Sequence, residues 1–235
     1  MIKFFRKIRQ KLLTENKFSK YLLYAIGEIV LVIIGILIAL GINENVKDKN
    51  NLELRNAYIT QLDDEANRNI DRLNEINDFT NEILKEVDTV LKILYTKDYD
   101  NPKLPTKLDR LMQSNYLNPT TVTYENLKFS GDLKLFNDLN LRNSISEPYE
   151  TFNDIKVVED LDYVGFKDFY ENFLISNVSF WDMNLTAKSY AQEIHFQNYV
   201  LARRVSLNLN KDAYENSIDS FNKLKTIFAE LENDN

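Results

Sequence analysis

The sequence predicts an all-α protein: an N-terminal transmembrane helix followed by an antiparallel helical bundle of about three long helices with short connecting helices. Three observations carry this reading. One run near the N-terminus is almost wholly apolar, long stretches after it repeat apolar residues at three-and-four spacing, and no alternating apolar pattern of useful strand length occurs.

The apolar run is Tyr21 to Ile42, interrupted by Glu28 and the tyrosines. At 1.5 Å per residue it would reach about 33 Å, enough for a hydrocarbon core of about 30 Å. A cleaved signal peptide is the competing reading, since Ala39-Leu40-Gly41 resembles a cleavage site, but a signal core is only about 7 to 15 residues long. The run therefore reads as a retained anchor, which divides the chain into a basic segment 1–20, a membrane helix 21–42 and a domain 43–235.

Charge orients the anchor. Residues 1–20 hold Lys3, Arg6, Lys7, Arg9, Lys11, Lys17 and Lys20 against Glu15 alone. Shortly after the run come only Lys47 and Lys49, so the positive-inside rule places the N-terminus in the cytoplasm and exports the domain 43–235. Phe4, Phe5, Ile8 and Leu12 recur at helical spacing among the basic residues. That pattern suits a segment lying on anionic headgroups, with a disordered basic leader as the alternative.

Glu28 is the one ionisable group in the run. Intramembrane carboxylates are costly and often mark ion pathways or partner contacts, though this one sits about two turns from the cytoplasmic edge, where it can snorkel or pair. Gly35 and Ala39 make a small-xxx-small pair that permits close helix packing.

Beyond the anchor, Asn43 to about Thr96 has neither Pro nor Gly, and Leu62, Ala66, Ile70, Leu73, Ile76, Ile83, Val87, Val90 and Leu94 mark one apolar face, with Thr80 filling a gap. This predicts one long helix or two in series. Pro102, Pro105 and Pro119 then break the pattern. Leu108, Leu111 and Met112 suggest a short helix between them, and Thr121 to Ser130 a second, closed by Gly131 in a left-handed cap. From Leu139 to about Ser176 a long helix is expected, capped by Asp138 and kinked at Pro148. After a looser stretch from Ser176 to Leu185, the last helix carries Leu207, Tyr214, Ile218, Phe221, Leu224, Phe228 and Leu231.

Residues 43–235 hold 22 basic and 34 acidic side chains, a balance of −12, which disfavours a nucleic-acid partner. With no cysteine, one histidine (His195) and five glycines, the chain offers no thiolate chemistry, no His-rich metal centre and no phosphate-cradling loop. The adjacent acids Asp63-Asp64-Glu65 and Glu159-Asp160 read as solvated helix faces, because neighbours on a helix diverge. No catalytic, cofactor-binding or metal-ligating residue is assigned, and no small-molecule substrate is implied. Phe180 and Trp181 are expected in the core.

The runs Phe4-Phe5-Arg6-Lys7-Ile8-Arg9, Asn16-Lys17-Phe18-Ser19-Lys20-Tyr21-Leu22, Ala25-Ile26-Gly27-Glu28-Ile29 and Gly35-Ile36-Leu37-Ile38-Ala39-Leu40, with Tyr124-Glu125-Asn126-Leu127-Lys128-Phe129-Ser130-Gly131, carry a resemblance. The chain resembles an uncharacterised family of single-pass membrane proteins common in Bacteroidota. The resemblance implies an inner-membrane protein with a periplasmic helical domain and supplies no activity. In its second segment Tyr124, Glu125 and Lys128 form a candidate interaction surface; the plainer reading is a helix end, with Tyr124 and Leu127 packed inside.

Two functions are compatible with this sequence. The first is a membrane-anchored periplasmic interaction protein, scaffold- or sensor-like, whose partners are the lipid bilayer and either itself or other envelope proteins. The second is a single-anchor subunit of an ion-coupled membrane complex using Glu28.

Overall fold

The computed structural model describes residues 18–179, 184–185 and 190–233. The expectations for Phe4, Phe5, Ile8 and Leu12, and for Phe180 and Trp181, lie outside the described residues. The chain divides into two units, residues 1–56 and 57–235.

Helix α1 runs unbroken from Phe18 to Tyr95. In the first unit its apolar side chains face outward, Leu23 and Leu31 being more than 70% exposed. It is the one helix among the described residues long and apolar enough to cross a membrane, by length and composition. Its C-terminus closes with a Schellman pair: Asp98 N–H donates to the Ile93 carbonyl at 3.2 Å and Lys97 N–H to that of Leu94 at 3.1 Å. Lys97 takes the left-handed position, φ 56°, that glycine usually holds.

Helices α2 (Lys103–Met112) and α3 (Val122–Phe129) belong to a connector that runs back along α1. Pro105 does not break α2, because it falls in the first turn, where no backbone donor is required. Lys107 pairs with Glu86 at 2.6 Å, Arg72 donates to Asn115 at 2.7 Å, and the Tyr58 hydroxyl donates to Asp132 at 3.0 Å, so rising connector numbers meet falling α1 numbers. Gly131 has φ 74°, as expected of a left-handed cap.

Helix α4 (Leu139–Phe169) starts where Asp138 accepts from Asn140 N–H at 2.9 Å, and it continues through Pro148. It passes into a π-turn, Tyr170–Leu174, and a last turn to Asn177. A two-residue antiparallel ladder, β1 (Val178–Ser179) with β2 (Asn184–Leu185), follows; no alternation could have announced so short a pairing. Helix α5 (Ile194–Asn233) completes the chain.

Most of the side chains that α1, α4 and α5 bury follow a four-three repeat. On α1 the buried positions include 62, 66, 69, 73, 76, 80, 83, 87, 90 and 94; on α5 they include 196, 200, 203, 207, 210, 214, 217, 221, 224 and 228. On α4 the same spacing runs through 145, 148, 155, 159, 162 and 169, with the half-buried Phe152 and Phe166 between. A repeat of 3.5 residues keeps one seam facing its neighbours along the helix. The α1 stripe therefore passes through Asn69 rather than Ile70, which is only partly buried.

The seams meet in two apolar clusters. One joins Ile83 to Leu94 of α1 with α2, Phe169, Phe173 and the N-terminal half of α5, where Phe169 stacks on Tyr199 at 3.7 Å. The other joins Ile59 to Ile76 with α3, Ile145 to Ile155 and Tyr214 to Phe228, where Tyr124 stacks on Tyr149 at 4.1 Å. Helix α5 runs counter to α4, Thr151 meeting Ser217 and Glu159 meeting Tyr214, and counter to α1, Asp88 meeting Arg204. Thus α1 and α4 share a direction. The connector supplies the intervening reversal.

Candidate functional site

The structure corrects the sequence reading most at the paired acids. Glu65 is 0% exposed and Glu159 only 9%, so neither lies on a solvated face. Together with Asp162, Arg203, Asn69 and Asn210 they make up most of the buried polar inventory. Isolated buried charge is expensive, so each of these groups must be accounted for by its partners.

Glu65 accepts from Thr123 N–H at 2.7 Å, Tyr124 N–H at 3.2 Å and the Tyr149 hydroxyl at 2.9 Å. Thr121, at the N-cap of α3, makes no side-chain cap bond. A carboxylate from α1 does that work instead, and its negative charge suits a helix N-terminus. One turn on, the Asn69 amide donates to the Thr120 carbonyl and accepts from its N–H, both at 2.8 Å.

Glu159 accepts from Leu117 N–H at 2.8 Å and from the Tyr214 hydroxyl at 2.7 Å. Burial raises its pKa, while these two donors pull it back down. Asp162 pairs with Arg203 and accepts from the hydroxyls of Ser206 at 2.5 Å and Tyr116 at 3.1 Å. Burial pushes the Tyr116 phenol up to about 12. The Arg203 guanidinium also donates to the Gln113 carbonyl at 2.5 Å and to Ser114 at 3.0 Å. Its Nε and the Asn210 Oδ1 are buried without a hydrogen-bond partner.

These contacts have one common object, residues 113–124. That stretch has no secondary structure until α3, so its backbone groups find no ladder, and they must be paired from outside. Glu65, Asn69 and Arg72 of α1, Glu159 of α4 and Arg203 of α5 supply the pairing. The arrangement is chemically a clamp on the connector, with both carboxylate oxygens of Glu65 and of Asp162 and one of Glu159 committed to donors. In sequence order, Thr80, Glu159, Asp162 and Asn210 also fall between the two apolar clusters.

Two surface clefts lie apart from the clamp. An open groove of about 520 Å³ has Leu91, Leu94 and Leu201 on its wall and the Asp88–Arg204 pair, 2.7 Å, at its edge. A smaller one of about 280 Å³ between α4 and α5 includes His195, which stands 3.5 Å from Asp168. Among the described residues no group of three or more His, Asp or Glu is placed to hold a metal ion.

The residues singled out from sequence fall in three places. Glu28 lies on α1 in the first unit, half-exposed, and has an interaction partner. Gly35 and Ala39 lie on the same helix, both exposed, and a Cβ added at Gly35 would meet nothing within 4 Å. On α3, Tyr124 is buried against Tyr149, which removes its ring from the candidate surface; Lys128 stands exposed 5.8 Å from that ring, and Glu125 is half-exposed. The clamp residues were missed because each was judged by its sequence neighbours. The available signal was the four-three repeat, which assigns positions 69, 159, 162, 203 and 210 to buried seams whatever residue occupies them.

No curated protein and no solved structure matches the chain. The sequence model of DUF6090, a family of unknown function, matches residues 28–165, from Glu28 in the apolar run to Gly165 near the end of α4. That is more than half of the chain, and the protein belongs to the DUF6090 family.

Proposed function

We propose that this is a membrane-anchored periplasmic interaction protein, scaffold- or sensor-like, in which α1 crosses the inner membrane once and the remaining helices form a bundle that binds other envelope components. The observation that carries the reading is exposed apolar surface on helices otherwise clothed in polar residues. Val157, Leu161 and Val164 on α4 and Leu201, Val205 and Leu209 on α5 are between 43% and 62% exposed. Exposed apolar side chains repeated along a helix face are the material of association sites on soluble domains. The bundle reading is supported by the shared four-three seams, and the orientation by the basic residues that precede the apolar run.

Crosslinking in intact membranes, followed by mass spectrometry of what copurifies with the full chain, tests this. The reading expects envelope proteins or further copies of the chain to be captured, with capture insensitive to Glu28→Gln and diminished by charged substitutions on α4 or α5. Recovery of the mature protein as a soluble species lacking its first forty residues would overturn it. So would a single multi-pass companion whose ion coupling is abolished by Glu28→Gln.

A further inference from the structure

We propose that the open groove between α1 and α5 binds a small amphipathic anion, an apolar body carrying a single carboxylate. The inference adds a ligand site to the interaction role above and does not depend on it.

The groove is built from two antiparallel helix edges. Asp88 of α1 meets Arg204 of α5 at 2.7 Å. Tyr95 follows Asp88 by seven residues and Gln197 precedes Arg204 by seven, so the ion pair stands at one end and the tyrosine two helical turns away at the other. Leu91, Leu94 and Leu201 supply the apolar wall between them. Leu201 is 53% exposed and Tyr95 90%, so much of this apolar surface still meets water and is free to be covered. The cavity of about 520 Å³ falls within the range of about 300 to 1,000 Å³ that small ligands occupy. Two turns of helix make a trough about 10 Å long, shorter than an ordinary strand of about 17 to 20 Å, which suits one small molecule better than a docked polypeptide.

Charge decides the sign of the ligand. The lining carries Lys92 and Arg204 against Asp88, one net positive charge, in a domain whose residues 43–235 sum to −12. Arg204 reaches Asp88 through Nε, and that is the one carboxylate contact of its guanidinium. Among the described residues no carboxylate pairs with the Lys92 ammonium. A single carboxylate head therefore finds charged donors beside a leucine wall, while its apolar body covers Leu91, Leu94 and Leu201. A cation of the same shape would face Lys92 across the groove, and a neutral molecule would leave both cations without an added partner. The lining comes from residues 88–95 and 197–204, so no local motif announces it.

A diazirine derivative of octanoate, photolysed with the full chain in lipid nanodiscs and mapped by peptide mass spectrometry, tests the site. Labelling is expected within residues 88–95 and 197–204, displaced by excess octanoate, and about fivefold weaker with the matching derivative of octanol. Lys92→Gln combined with Arg204→Gln should lower the octanoate signal by about fivefold, and Leu201→Glu, made separately, should lower it by at least as much. Unchanged helical circular dichroism would show that these surface variants fold. Equal labelling by the octanoate and octanol derivatives, stronger labelling by that of octylamine, labelling confined to the apolar run 21–42, or indifference to the substitutions would each overturn the proposal. Such a failure leaves the interaction role standing, because that role is read by the proteins captured in membranes.

Discussion

Glu65 and Thr123 lie 58 residues apart in sequence, yet the carboxylate of one accepts the backbone N–H of the other at 2.7 Å. The start of α3 is therefore capped by α1, and a local structural decision depends on a tertiary contact. Removing the side chain would strand two backbone donors and the Tyr149 hydroxyl. Glu65→Ala should destabilise the chain by about 3 kcal/mol or more, and Glu65→Gln by less, about 1 to 2 kcal/mol, because the amide keeps one acceptor while its NH2 faces a backbone donor. Denaturant unfolding of the full chain in detergent would measure both, and equal losses would contradict the capping role.

Arg203 and Asp162 test the clamp as a unit. Arg203→Met leaves Asp162 buried with hydroxyl partners alone and strands the Gln113 carbonyl, and should cost about 3 to 5 kcal/mol. The double variant Asp162→Leu with Arg203→Met should recover part of that loss. A double-mutant cycle reads the coupling directly, and additive losses would show that the pair is not coupled.

Glu159 should make stability fall as pH rises. In an unfolded chain a glutamate titrates near about 4.3, and burial raises the folded value above that. Between the two values the folded state holds more protons than the unfolded one. The stabilisation is thus complete below the unfolded value and is lost as pH climbs through the folded value. Glu159→Gln can keep the acceptor for Leu117 and Tyr214 without titrating. Its unfolding midpoint should gain on the parent as pH rises above the unfolded value, and a constant difference would sink the argument.

Two left-handed positions carry opposite expectations. Gly131 has φ 74° and free space around a built Cβ, so Gly131→Ala should cost only the backbone term, about 1 kcal/mol. Lys97 has φ 56°, and Lys97→Gly should stabilise the end of α1 by up to about 1 kcal/mol. Thermal unfolding of the two variants should shift in opposite directions.

Sequence periodicity by itself determined the helical class, the long apolar run and the ends of several helices. Asp138 caps α4 and Gly131 turns left-handed because capping and backbone sterics act over a few residues. The four-three seams were equally present in the sequence, since 3.5-residue spacing is visible without coordinates.

Only the tertiary structure decided what the polar members of those seams do. Nothing near Glu159 in sequence announces that Leu117 N–H will need an acceptor, for that need arises when an irregular connector is laid between helices. The same holds for Glu65 and Asn69, whose acidic and amide surroundings read as solvent-facing. A backbone donor excluded from water must be paired by whatever group the packing brings within reach, and reach is a property of the folded chain.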